Sequence, residues 1–431
     1  MTTVRIAGGD VLYPDHSIER GDVLIDRESG EIVAVGNVEG GDITLDASDG
    51  ILMPGLINAH THVAMTLFRG FVEDVPLQEW LGDVVWPVEA ELTPADVAAG
   101  ARLGAAEMIR NGITAFQDMY FEVPAIAEVV EAVGLRATVG HTAITVGKDA
   151  DAAHTDMEAS LRVADEFAGA AGGRIDTTVQ PHNQTTVGRP YLEAHIPTAR
   201  ERGHPLHYHS NESPEEVDEL HEETGLRPIE YADELDMLRP GDTLAHCVHV
   251  DDAEIDLLAD RGVTVAHCPA AHMKVASGIA PISKMRERGV QVALGTDGPA
   301  SNNDLDLFDE MCDAALASKV STKDAAAIPV GDIVDMATKA SAEVMGIDAG
   351  RVEVGARADL IVVDTSAPKF APGHDRINDL VYVANGSDVR HTICDGEVLM
   401  HDRSLLTVDV EAAKRAATER ATALFERAGV S

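Results

Sequence analysis

The amino-acid sequence predicts an α/β fold: a (β/α)8 TIM barrel carrying a small β-sandwich domain formed from both termini. Three observations lead there. Strand-like and helix-like segments alternate through the middle of the chain, short strand-like segments fill both ends, and 45% hydrophobic residues over 431 positions supply a sizeable core.

From the N-terminus, the first 50 residues read as V-R-I-A, D-V-L-Y and D-V-L-I-D, then the turn Glu28-Ser29-Gly30, then E-I-V-A-V. The same texture returns near the other end in A-D-L-I-V-V-D, D-L-V-Y-V-A, H-T-I-C and E-V-L-M. The last two are joined by Asp395-Gly396, a typical two-residue hairpin turn. Pairing the two ends is the simplest arrangement. It assigns residues 1–54 and 353–405 to the β-sandwich, 55–352 to the barrel and 406–431 to a C-terminal helix.

Between them, one helix is well signalled: Thr93 as N-cap, Pro94 in the first turn, Asp96 three residues after the cap, apolar Val97, Ala101, Ala105 and Met108 on one face, and Gly112 as the stop. Another is expected to follow Asn303, with Leu305, Phe308, Cys312 and Ala315 at helical spacing. The strand-like segments are I-L-M-P-G-L-I-N-A-H-T-H, G-I-T-A-F-Q-D, R-A-T-V-G-H, I-D-T-T-V-Q-P-H, P-L-H-Y-H, T-L-A-H-C-V-H, T-V-A-H-C-P and Q-V-A-L-G-T-D. There are eight, over the roughly 250 residues that such a barrel needs.

Their C-terminal ends carry His60 and His62, Asp118, His141, His182, His209, His246, His267 and Asp297. In a parallel barrel these ends converge on one rim, where catalytic residues sit. A lone strand-terminal histidine is more often a hydrogen-bonded structural residue; eight such ends together point to a site. H-x-H places the His60 and His62 imidazoles on the same side of a strand, because side chains repeat every two residues, so both can chelate one ion. His209 and Asp297 are the best third and fourth ligands. Nitrogen and carboxylate ligands without thiolate suit one divalent ion, Zn2+ first, with Fe2+ or Mn2+ as alternatives. Four protein ligands plus a water would make five, one more than most catalytic zinc sites. Such an ion lowers the pKa of bound water from 15.7 toward about 7. Glu212, just past the fifth strand in H-S-N-E, could move protons on that water, although composition alone reads it as a solvated acid in the loop N-E-S-P-E-E-V-D-E.

The formal charge of -41 comes from 74 acidic against 33 basic residues, and no lysine precedes Lys148. That field excludes nucleic acid and anionic membrane as partners. The acids are interspersed with apolar residues, which favours a folded, solvated surface over a disordered tail and suggests a high-salt cytosol. Four cysteines without a C-x-x-C pair imply no disulfide framework. No basic-then-apolar leader and no long apolar run is present, so a cytoplasmic protein is expected, with homo-oligomerisation left open.

The motifs P-G-L-I-N-A-H-T-H, H-S-N-E, A-H-C-V-H, L-G-T-D-G-P-A-S-N-N and G-A-R-A-D-L-I-V-V-D, spread over nearly the whole chain, together resemble the amidohydrolase superfamily. Within it, L-Q-E-W-L followed by W-P-V-E, the run G-T-D-G-P-A-S-N-N-D-L-D-L-F-D-E-M, and G-I-A-P-I look most like the 5'-methylthioadenosine/S-adenosylhomocysteine deaminases. The resemblance implies one metal held by His60, His62, His209 and Asp297. V-Q-P-H at the fourth strand offers no lysine for the carbamylated bridge of binuclear relatives. It also implies attack of water, activated with help from Asp297, on C6 of an adenine ring. Glu212 then protonates the ring nitrogen and serves the leaving ammonia, and His246 steadies the attacking hydroxide and the tetrahedral centre. Glu89 of W-P-V-E would bind ribose hydroxyls, and His182 would contact the nucleoside-like substrate. Departures from the family pattern are Pro181-His182-Asn183-Gln184-Thr185-Thr186 and Pro269-Ala270-Ala271-His272-Met273-Lys274, and V-G-H-T follows Arg136 where T-R-G is expected. The arginines that would hold a homocysteine carboxylate therefore have no clear match.

Three other readings compete. A guanine or triazine aminohydrolase or chlorohydrolase would share the metal and differ in the pocket. A cytidine-type zinc deaminase needs P-C-x-x-C, which the chain lacks. A non-catalytic metal-binding protein would lack the proton shuttle, whereas Glu212, His246 and Asp297 are present in order.

Overall fold

A computed structural model describes residues 2–71, 73–75 and 79–430. Leu77 and Gln78 of the L-Q-E-W-L stretch lie outside them.

All eight expected barrel strands form: Leu56–Thr61, Ile113–Asp118, Arg136–Val139, Ile175–Thr177, His207–Ser210, Thr243–His246, Thr264–His267 and Gln291–Leu294. The first four and the last four each pair in parallel within one sheet. The halves meet through a parallel bridge between Val179 and Leu206. Closure runs from the Asp297 N–H to the His60 carbonyl at 3.0 Å, and Asn58 locks onto Thr296 through two hydrogen bonds. Helices cover the strands because their apolar stripes have no other place to bury. Pro94–Arg110 starts at a reciprocal Thr93/Asp96 capping box and buries Val97, Ala101, Ala105 and Met108, as the sequence predicts.

The terminal strands make one hydrogen-bonded nine-stranded sheet. Gly50–Pro54 sits between Leu360–Asp364 and Thr3–Leu12, joining the two ends of the chain. Its core of Val4, Ile6, Val23, Ile25, Leu52, Leu360, Val362 and Ile393 is separate from the main core. The Asp395-Gly396 hairpin forms with both residues at positive φ, 51° and 76°.

Four sequence expectations change. V-R-I-A and D-V-L-Y are one strand, Thr3–Leu12, whose pairing shifts between Ile6 and Gly9. The expected first barrel strand divides at Gly55: Gly50–Pro54 belongs to the terminal sheet and Leu56–Thr61 to the barrel. A Cβ on Gly55 would collide with the Thr114 side chain, so only glycine fits the crossing. D-L-V-Y lies in the helix Arg376–Tyr382, not a strand, because Asp375 caps it by accepting from the Ile377 and Asn378 N–H groups. The helix expected after Asn303 runs Leu307–Thr322 with Asp306 as N-cap, so Leu305 precedes it and Cys312 is only partly buried.

Candidate active site

The C-terminal ends of the barrel strands surround one cavity lined by His62, His209, Asp297, Glu212, His246, His182 and Glu89, with His60 fully buried at its base. His60 Nε2 and His62 Nε2 lie 3.4 and 3.2 Å from Asp297 Oδ1. Ligand atoms of His60, His62 and His209 fall within 4.8 Å of one another, as do those of His60, His246 and Asp297. The other Asp297 oxygen, Oδ2, accepts from Ser301 Oγ at 2.6 Å, leaving Oδ1 to the histidines. Asp297 and His246 both hold left-handed backbone, at φ 59° and 79°, an arrangement costing about 1–3 kcal/mol each that persists only where the surroundings enforce it.

The residues fit a divalent cation. His60 Nε2 is buried without a hydrogen-bond partner among the described residues, as a ligand nitrogen would be. His62 Nδ1 donates to the Met119 carbonyl at 2.5 Å, which turns its Nε2 toward Asp297. Burial pushes the Asp297 carboxyl up, but His60 and His62 outweigh it and hold it well below the usual range. Burial likewise opposes charge on His62, yet Asp297 holds that imidazole up at about 9. The cluster therefore attracts positive charge where a metal would sit.

Glu212 follows the fifth strand. Its N–H donates to Glu216 Oε2 at 2.9 Å, and Ser213 caps the helix Pro214–Thr224 that carries Glu216. This local framework turns a loop acid into the cavity, with Oε2 3.7 Å from His246 Nε2. Burial, then Asp297 and Glu216, raise the Glu212 carboxyl well above its ordinary value, which favours its protonated form. Glu89 ends the short helix Trp86–Glu89, which continues a π-helical turn, Trp80–Val85. Burial pushes it up to about 7, offset partly by Tyr120 and His62.

Three of the rim residues stand apart. Asp118 accepts from the Val63 N–H at 2.6 Å, His141 pairs with Asp156 at 2.9 Å, and His267 is buried with no partner on either ring nitrogen among the described residues. Arg136 is spent on Asp359 and Asp395 at the start of its strand, the opposite end from the site. Two histidines that the spacing did not single out as functional back the site: His207 Nε2 lies 2.9 Å from His60 Nδ1, and His272 Nε2 lies 3.0 Å from His246 Nδ1. His207 was legible in principle, since it shares the H-x-H of His209; His272 sits on a helix and gave no such signal.

Residues 51–399 match the Amidohydrolase family. The chain belongs to that family. This amidohydrolase is 53% identical over 428 residues, 99% of each chain, to a Natronomonas pharaonis protein named 5-methylthioadenosine/S-adenosylhomocysteine deaminase. It is 43% identical over 408 residues to a 5'-deoxyadenosine deaminase of Methanosarcina mazei, covering 93% of this chain and 94% of the other. A zinc-bound adenosine deaminase structure from Xanthomonas campestris superposes with a TM-score of 0.93 at 33% identity, covering 99% of both chains.

Proposed function

We propose that this amidohydrolase is a metal-dependent deaminase of adenine nucleosides: 5'-methylthioadenosine, S-adenosylhomocysteine, 5'-deoxyadenosine or adenosine. It releases ammonia and the inosine analogue. The observation that carries the reading is that ligand atoms of His60, His62 and His209, and of His60, His246 and Asp297, each lie within 4.8 Å of one another, at a cavity that Glu212 also lines. Full-length similarity to enzymes named for these substrates supports it.

His60, His62, His209 and Asp297 would hold one divalent ion, Zn2+ by the chemistry of the donors. When bound, it supplies water whose pKa falls toward about 7. Asp297 would accept a proton from the attacking water as the water oxygen bonds to C6. Glu212 gives its proton to the neighbouring ring nitrogen; the proton held by Asp297 passes to the amino group as the C6–N bond breaks and ammonia leaves, and the remaining hydroxyl proton at C6 returns to Glu212 as the C6 carbonyl forms. His246 donates to the oxygen as negative charge develops. His182 and Glu89 contact the nucleoside, Glu89 accepting from ribose hydroxyls. A second cavity shares Trp86, Glu89, Phe121 and Ile144 with the first and is bordered by Lys148 and Arg162; it would take the 5'-substituent.

The same reading takes the terminal sheet as a β-sandwich, residues 1–54 and 353–405, beside the barrel of 55–352 and the C-terminal helix of 406–431; the separate core of the sheet supports this division. No described helix is long and apolar enough to cross a membrane. A cytoplasmic enzyme of a high-salt cell, free to form homo-oligomers, completes the proposal.

The test is ammonia release in high-salt buffer with zinc from the four adenine nucleosides and guanine, with Glu212→Gln beside the wild type. Turnover of adenine nucleosides should fall by about 10²–10⁴-fold in the variant at unchanged zinc content. No ammonia from any adenine nucleoside, from folded zinc-loaded protein, would sink the reading.

A further inference from the structure

We infer that His272 sets the tautomer of His246, so that His246 presents an N–H, not a lone pair, to the active-site cavity. The inference rests on the deaminase reading for its catalytic meaning and on geometry for its assignment.

His272 lies in the short helix Pro269–Lys274 that follows the seventh strand, with 0% of its surface exposed. Its Nε2 is 3.0 Å from Nδ1 of His246, whose exposure is 2%. The opposite ring nitrogen of His246, Nε2, faces Glu212. Both rings are buried away from water, where the neutral imidazole is the favoured form. A single proton therefore bridges the two rings, and there are two arrangements. Either His272 Nε2–H donates and the proton of His246 sits on Nε2, or His246 Nδ1–H donates and its Nε2 is bare.

The far side of His272 decides between them. Its Nδ1 is buried with no hydrogen-bond partner among the described residues. In the first arrangement that atom is a bare acceptor; in the second it is an unpartnered buried N–H donor. Orphaned buried N–H groups are rare, and unsatisfied acceptors less so. The first arrangement wins, and His246 carries its proton on Nε2.

A ring nitrogen that carries a proton cannot ligate a metal. His272 thus keeps His246 out of the ligand set, although ligand atoms of His246, His60 and Asp297 lie within 4.8 Å. It leaves His246 as a donor to the oxygen that attacks C6. The pair His60–His207 has the opposite polarity. A ligand His60 needs a bare Nε2, so its Nδ1–H donates to His207 across 2.9 Å. There metal binding outweighs the cost of leaving His207 Nδ1 as an unpartnered N–H. Two otherwise similar histidine pairs would in this way separate a ligand from a donor.

The test is two-bond 1H–15N correlation on zinc-loaded protein labelled with 15N-histidine, which distinguishes protonated from bare ring nitrogens, with His246→Gln used to assign the signals. His246 should show a protonated Nε2 and a bare Nδ1. His272→Leu should mix its tautomers and lower kcat by about 10–100-fold with KM little changed. His272→Gln, whose amide nitrogen can reach the place of His272 Nε2, should restore much of both. A bare Nε2 on His246 in the wild type overturns the inference, as does a folded, zinc-loaded His272→Leu with wild-type kcat. If His272→Leu does not fold, the wild-type spectrum still decides. The spectrum needs no turnover, so failure of the deaminase reading would show separately, as absence of ammonia with the tautomer unchanged.

Discussion

Glu89 shows how far a single side chain can depart from what its composition suggests. In W-P-V-E it reads as a solvated acid, and only the family pattern singles it out; the structure places it in the cavity wall, beside Tyr120 and in the field of His62. Burial pushes its carboxyl up to about 7. As a ribose acceptor it works best deprotonated, so affinity for nucleosides should rise as pH climbs through about 7. Glu89→Gln should lose that dependence and lower kcat/KM for ribosides by roughly 10–100-fold, the worth of a charged hydrogen bond, 1.5–3 kcal/mol. A 2',3'-dideoxy substrate should be affected much less. Kinetics on the two substrates between pH 6 and 9 check this, and an equal loss on both would remove Glu89 from ribose recognition. Asp297 was more legible. It ends a strand-like run and repeats the chemistry of the other rim residues, whereas Ser301, which occupies its second oxygen, lies in a loop where no periodicity marks it. Glu212 falls between the two: its position after H-S-N was readable, but its aim depends on Glu216 and the capped helix beyond.

Elements were legible where one period dominated. Parallel barrel strands are buried on both faces and read as short apolar runs, so all eight were found. Short apolar runs do not distinguish strand from helix, and D-L-V-Y failed for that reason; the deciding signal was the cap at Asp375, four residues upstream. The loop after the third strand shows what holds an element without an apolar stripe. Asp156, on the helix Ala150–Phe167, accepts from the Ile144 N–H at 2.8 Å, faces His141 Nε2 at 2.9 Å and pairs with Lys148 at 2.7 Å. Burial raises its carboxyl, but these partners, His141 first, outweigh burial and lower it to about 2. A folded pKa below the unfolded one adds stability that is present above about 4 and lost as pH falls toward about 2. Asp156→Asn should therefore cost roughly 1–2 kcal/mol at pH 7, after discounting for partial exposure. That gap to the wild type should start to close below about pH 4 and be mostly gone near pH 2 in denaturant titrations. A gap independent of pH would show that packing, not charge, makes the difference.

For the whole molecule, the alternation of strands and helices carried the barrel, and the β texture of both ends carried their pairing. What sequence did not reveal is that Gly50–Pro54 is the shared centre of the terminal sheet, because a continuous apolar run hides the change of sheet at Gly55. Charge is the other property that belongs to no single element. Seventy-four acids against 33 bases leave -41 on one chain, and the surface ion pairs, such as Arg288 with Asp252 and Asp256, use the few cations several times over. The remaining carboxylates repel one another, which opposes the compact state. Raising salt from about 0.1 to 1 M shortens the screening length from about 10 to about 3 Å. The melting temperature should therefore climb steeply over that interval and more gently above it, and KCl and NaCl should act alike if screening is the cause. The buried site is screened far less than the surface, so zinc content should hold at salt concentrations where the melting temperature has already fallen. Scanning both from 0.1 to 3 M checks the argument. A melting temperature that is flat in either salt would mean that the ion pairs already balance the surface, and a response to KCl alone would point to ion binding instead of screening.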